Sequence, residues 1–98
     1  MKEITVTNVF DRSGDEQVID VREDFEVAEG MIPGAVHIPM GQVQERLTEI
    51  DRSKPVIAVC RSGNRSSKVT QALEDAGFDV SNMAGGMIAW NEAGLPTS

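Results

Sequence analysis

The chain's one cysteine, Cys60, closes the apolar run PVIAVC (55–60) and is followed at once by Arg61, Ser62, Gly63, Asn64, Arg65 and Ser66. The thiolate is the reactive form of cysteine, and cations, oriented N–H groups or a helix N-terminus favour it over the thiol. The order here is a strand-like run, a glycine-containing turn with two arginines, then a helix-like run. A tight turn of that kind aims several backbone N–H groups at one point and makes an anion-binding concavity. Cys60 would lie at its lip or centre. The charge map agrees: between Arg52 and Leu73 stand Arg52, Lys54, Arg61, Arg65 and Lys68 and no acid, in a chain of net charge −7. Such a patch steers an anion toward the thiol despite the acidic whole. A lone cysteine ending an apolar strand is more often a small core residue. Its combination with this turn points instead to a reactive thiolate that handles anions.

The flanking elements must deliver that geometry. PVIAVC has the continuous apolar character of a central parallel strand covered on both faces, and ligand sites in open α/β sheets lie at the carboxyl ends of strands. From Ser66 to Ala76, the residues Val69, Ala72, Leu73 and Ala76 form one helical stripe, and Gly77 is a natural stop. Gly63 and Asn64 are the loop residues best suited to a left-handed backbone. Elsewhere, EITVTNV (3–9) alternates at period two and predicts an edge strand. QVIDV (17–21), PGAVHIP (33–39) and FDVSNM (78–83) predict further strands. EDFEVAEG (23–30), GQVQERLTEI (41–50), with Val43, Leu47 and Ile50 on one face, and GGMIAWNEAG (85–94) predict helices. Short strands alternating with helices imply an α/β fold with a five-stranded, mostly parallel sheet. With 98 residues, 40% hydrophobic, the expected organisation is one domain over 1–98.

Composition also excludes. The negative balance argues against a surface that binds nucleic acid or an anionic membrane. No apolar run approaches the roughly 18–20 residues that span a bilayer, and residues 1–17 carry no apolar segment of the signal-peptide kind. One Cys allows no internal disulfide, and one Cys with one His makes a poor metal site. The expectation is a cytoplasmic protein without metal or other cofactor, for which a monomer suffices. His37 sits in a strand-like segment remote from Cys60 and reads as a structural residue, so no Cys–His dyad is assigned.

CRSGNRSS (60–67) resembles the active-site loop of single-domain rhodanese-like sulfurtransferases. VIDVREDFEVAEGMIPGAVHIPMG (18–41) resembles the same family's Asp-x-Arg strand end followed by Gly-x-Ile-x-Gly-Ala and Ile-Pro. MAGGMIAWNEAGLP (83–96) resembles its Gly-Gly turn and Trp-containing helix. Three motifs in order cover most of the chain beyond its first fifteen or so residues. The resemblance implies a rhodanese-like fold with helices on both sheet faces. It also implies that Cys60 takes up a sulfane sulfur as a persulfide, cradled by residues 61–65 and the amide of Ser66. Arg61 and Arg65 would hold a small anionic donor such as thiosulfate. With no second Cys, the acceptor must be external (a thiol, cyanide or a protein), which implies ping-pong exchange. Asp20 and Arg22 resemble the family's supporting pair near the site, and Gly85 and Gly86 its close backbone approach beside the loop. Trp90 reads as core. Met31 stands where the family often has His, a change of packing rather than chemistry.

Three other functions compete. Phosphatases and arsenate reductases of this fold place Arg after five intervening residues; here Arg65 follows four, and Ser66 holds the phosphatase-type position. Regulatory or protein-interaction members commonly lack the cysteine. A persulfide carrier fed by a partner protein keeps the same loop chemistry, and the early acids Asp20, Glu23, Asp24, Glu26 and Glu29 could face a basic partner.

Overall fold

The computed structural model describes residues 1–12 and 14–98. Five strands, β1 (Lys2–Ile4), β2 (Gln17–Asp20), β3 (Val36–His37), β4 (Val56–Val59) and β5 (Val80–Met83), form one sheet in the order β1-β5-β4-β2-β3. All the pairings are parallel, with Asp20 opposite Val59 and Ala58 opposite Asn82. Parallel neighbours need crossovers, and helices α1 (Val6–Arg12), α2 (Asp24–Val27), α3 (Asn64–Asp75) and α4 (Gly86–Glu92) lie in those connections or follow the last strand.

Alternation along β4 explains two cores. Val56, Ala58 and Cys60 point to one face, where Val69 and Leu73 of α3 pack with Val43 and Ile50. Ile57 and Val59 point to the other, against Val9 of α1 and Met87 and Trp90 of α4. All four residues of β4 are buried, as a central strand requires. Trp90 is indeed core: it is buried, meets the Phe10 ring edge-on at 6.2 Å, and donates its indole N–H to the Pro96 carbonyl at 2.9 Å.

Three expected elements change. The first strand stops at Ile4 because Thr5 caps a helix: its Oγ1 accepts the Asn8 N–H at 3.2 Å and its carbonyl the Val9 N–H at 2.9 Å. The alternation of 3–9 therefore covers a strand end and a helix start, with Val9 buried on the helix. Residues 41–50 form no α-helix but two 3₁₀ turns, Met40–Gln42 and Leu47–Glu49. Val43, Leu47 and Ile50 still reach the core, and tertiary anchoring of three side chains decides the backbone where so short a helix is marginal alone. Asn64 is not left-handed: α3 begins there, two residues before the expected start, and only glycines have positive φ among the described residues. Gly63 alone makes the turn, at φ 102°.

No helix among the described residues is long and apolar enough to cross a membrane. None of their His, Cys, Asp and Glu side chains cluster in threes that could hold a metal ion.

Candidate active site

Cys60 follows the last residue of β4, the strand between β2 and β5, so it stands at the carboxyl end of the middle of the sheet. It is 1% exposed. Burial pushes its thiol up, but the Ser66 hydroxyl and the N–H groups of Ser66, Gly63 and Ser62 outweigh burial and bring it below the ordinary range. The Gly63 N–H lies 3.1 Å from Sγ and the Ser66 hydroxyl oxygen 3.2 Å from it. Of the expected cradle, the amides of Ser62, Gly63 and Ser66 converge on the sulfur. Its shape depends on the short loop 61–63 leading directly into the first turn of α3.

The loop's orientation is set from outside. The N–H groups of Met87 and Ile88, in the first turn of α4, donate to the carbonyls of Cys60 (2.9 Å) and Arg61 (3.0 Å). Across a planar trans peptide the carbonyl and the following N–H point opposite ways. Pulling these two carbonyls toward α4 thus turns the N–H groups of Arg61 and Ser62 away from it, the Ser62 group toward the sulfur. Gly86 makes this contact possible. Its φ is 59°, and a Cβ there would stand 2.4 Å from the Arg61 carbonyl oxygen and 2.6 Å from that of Cys60. Gly85 caps α4 just before it.

The two loop arginines part company. Arg65 forms a bidentate pair with Glu26, at 2.6 and 2.8 Å, tying α3 to α2. Arg61 is exposed, has no side-chain ion pair among the described residues, and lines a cavity of about 480 Å³ together with Arg22, Phe25, Glu26, Met87 and Ile88. The Arg65 guanidinium holds Glu26 down to about 2 against opposing burial, helped by the Glu23 N–H that closes a capping box on α2. Because the folded pKa is depressed, the contribution of this pair to stability is complete above the ordinary carboxylate pKa of about 4.5 and is lost as pH falls toward about 2. Glu26→Gln should therefore destabilise the protein at pH 7 and have much less effect near pH 2. Paired chemical denaturation curves at both pH values check this; an equal loss at both would assign the effect to packing.

Asp20 and Arg22 also meet. The carboxylate of Asp20, fully buried, receives Nε (2.9 Å), Nη2 (2.8 Å) and the backbone N–H (3.1 Å) of Arg22. Arg22 Nη2 also donates to the Gly30 carbonyl at 2.8 Å, so the pair clamps segment 22–30 against the sheet and backs the cavity wall. His37 lies on the edge strand β3, its Nε2 2.7 Å from the Arg22 carbonyl oxygen, in a structural position. Of the early acids, Asp20 and Glu26 are thus engaged internally.

Two residues of the site escape sequence reasoning. Glu26 finds Arg65 across 39 positions, for which local pattern carries no signal. Asn82 is 2% exposed on β5, and its Oδ1 lies 2.5 Å from the Ser66 hydroxyl oxygen. Its signal was available: a polar residue in the buried part of the strand run FDVSNM needs internal partners.

The model of the rhodanese-like domain matches residues 6–93. YtwF of Bacillus subtilis (strain 168), which bears a provisional sulfurtransferase name, is 47% identical over 93 residues, covering 92% of this chain and 90% of that protein. A protein of Allochromatium vinosum named as a sulfurtransferase is 41% identical over 80 residues, 81% of this chain and 75% of its own. Among solved structures, a rhodanese-like domain protein from Staphylococcus aureus superposes with a TM-score of 0.90 at 38% identity, covering 100% and 99% of the two chains. A rhodanese-related protein from Thermoplasma volcanium gives 0.96 at 28% identity over 100% and 98%.

Proposed function

The chain belongs to the rhodanese-like domain family, and from that premise we propose that it moves a sulfane sulfur from a small anionic donor, such as thiosulfate, to an external acceptor through a persulfide on Cys60. One observation carries the reading: the donors that converge on Sγ, namely the N–H groups of Ser62, Gly63 and Ser66 and the Ser66 hydroxyl. The Cys60 thiolate attacks the outer sulfur of thiosulfate; an S–S bond forms to Sγ, the sulfane–sulfite bond breaks, and sulfite leaves with the electron pair. The persulfide carries its negative charge on the outer sulfur, within reach of a concavity built for an anion. A nucleophile then takes that sulfur, and the pair of the broken S–S bond returns to Cys60 as thiolate. With no second cysteine in this sequence to compete, two half-reactions with separate substrates follow.

Thiosulfate and cyanide should yield thiocyanate, and intact-mass analysis after thiosulfate alone should find one extra sulfur atom on Cys60. An unmodified cysteine with excess donor, and no thiocyanate, would remove thiosulfate from the proposal. Of the two loop arginines, Arg61 lines the cavity and has no ion pair among the described residues, and Arg65 acts on the donor through the field around the loop. Arg61→Ala should raise the KM for thiosulfate by about tenfold or more, the worth of one charge-assisted hydrogen bond. The rate at which uncharged iodoacetamide alkylates Cys60 should stay near normal. Equal losses in both would deny Arg61 this role.

Phosphate chemistry fits less well. Ser66, at the position where phosphatase loops carry arginine, is buried with its hydroxyl on Sγ. A carrier fed by a partner protein has one observation in its favour: Phe25, 76% exposed, and Ile88, 39% exposed, sit on the wall of the Arg61 cavity as an apolar rim. Faster loading from a persulfidated protein than from thiosulfate would select that version.

A further inference from the structure

We propose that Asn82 is a positioning residue for Cys60, acting through the Ser66 hydroxyl, whose one hydrogen must serve either Sγ or Asn82 Oδ1. The Ser66 oxygen lies 3.2 Å from Sγ and 2.5 Å from Oδ1, and both Ser66 and Asn82 are buried. The orientation of the Asn82 amide is fixed by its other end. Nδ2 donates to the Gly63 carbonyl at 3.2 Å and to the Glu3 carboxylate at 3.4 Å, neither of which could face an amide oxygen favourably. Oδ1 therefore presents an acceptor to Ser66.

Counting hydrogens gives the consequence. With Cys60 as thiol, S–H donates to the Ser66 oxygen and the hydroxyl donates to Asn82, so every acceptor is served. With Cys60 as thiolate, two buried acceptors, Sγ and Oδ1, compete for one hydroxyl hydrogen. When the hydroxyl turns to sulfur, Oδ1 loses its partner; when it stays on Oδ1, the thiolate keeps only the N–H groups of Ser62, Gly63 and Ser66. Asn82 thus opposes ionisation of Cys60, and it restrains an acidity that the N–H cradle alone would carry further. Nucleophilicity falls along with thiol pKa, so a restrained thiolate is the better attacking group once formed. In a persulfide the charge moves to the outer sulfur, the inner sulfur becomes a poor acceptor, and the hydroxyl returns to Asn82. When the acceptor removes the outer sulfur, the electron pair of the broken bond arrives on Sγ and the hydroxyl swings back.

That sequence rests on the sulfur-transfer reading, but its test does not. The rate of Cys60 alkylation by iodoacetamide, followed against pH, reports the thiol pKa with neither donor nor acceptor present. Asn82→Ala and the bulkier Asn82→Leu should each lower that pKa by about half a unit to one unit, the equivalent of one hydrogen bond. Ser66→Ala should raise it. In a Ser66→Ala background the Asn82 substitutions should leave it where Ser66→Ala put it, because the hydroxyl that couples them is gone. The Gly63 carbonyl also accepts the Ser67 N–H at 3.1 Å, a bond that none of these substitutions removes, and melting curves establish whether each variant is folded. General loosening of the loop would raise the pKa, the opposite sign. A rise or no change with both Asn82 variants, a fall that persists without the hydroxyl, or no effect of Ser66→Ala alone overturns the proposal. Alkylation results of the expected kind together with absent thiocyanate formation would leave the assignment standing and the sulfur-transfer reading in trouble.

Discussion

Gly86→Ala is expected to cost the protein both stability and thiol reactivity. A Cβ at position 86 would fall 2.4 Å from the Arg61 carbonyl oxygen, 2.5 Å from the Arg61 carbonyl carbon and 2.6 Å from the Cys60 carbonyl oxygen. These are backbone atoms, so no rotamer change relieves the overlap; either the loop or α4 has to move. The left-handed backbone at φ 59° adds about 1–2 kcal/mol for any residue with a Cβ. Movement breaks the bonds from the N–H groups of Met87 and Ile88 to the carbonyls of Cys60 and Arg61, which orient the cradle. Sulfur transfer should fall by about 10²–10³-fold, the usual cost of losing one preorganised donor. The alkylation pKa of Cys60 should rise toward that of an ordinary cysteine. Melting curves and the alkylation profile together decide: lost stability with an unchanged thiol would detach α4 from the chemistry.

Asp20→Ala should be strongly damaging to stability. It leaves the Arg22 guanidinium, 6% exposed, without its carboxylate inside the protein. Breaking a buried pair from one side typically costs about 3–5 kcal/mol, because the remaining charge keeps its desolvation penalty. For a chain of this size that corresponds to a melting temperature lower by more than about 10 °C. Removing the orphaned charge should restore part of the loss, so Asp20→Ala with Arg22→Met should melt above Asp20→Ala. A double variant less stable than the single one would show that Arg22 matters mainly through its bonds to the Gly30 and Glu26 carbonyls.

What could be read from sequence follows the range of the forces involved. β4, the turn and α3 are contiguous, and each carries its own marker: an unbroken apolar run, a glycine at the left-handed position, a stripe of Val69 and Leu73. The strand, turn and helix around the candidate site were therefore legible, and the resemblance to the family's loop added the Ser66 amide. Asp20 and Arg22 lie two residues apart, and their pairing was legible too. Where competing local signals overlap, pattern misled: Thr5 ends a strand and caps a helix within one alternating run. Val43, Leu47 and Ile50 sit at helical spacing, yet two separate turns suffice to bury them. Contacts made only in three dimensions had no local mark. Arg65 looked available to a substrate until Glu26 of α2 came beside it. Asn82 gained its meaning from Ser66, sixteen positions away.

The strand order has a temporal side. Among the described residues β1 pairs with no strand but β5, whose last residue is Met83, so β1 waits for its partner until about eighty further residues have been made. At about 5–20 residues per second, the delay is several seconds. The sulfur waits as well. Asn82 arrives with β5, and the amides that orient the Cys60 and Arg61 carbonyls arrive later still, at Met87 and Ile88. Between the making of Cys60 and that of Ile88 the sulfur lacks these partners, and the donors around it take their final orientation only when α4 closes over a sheet already built.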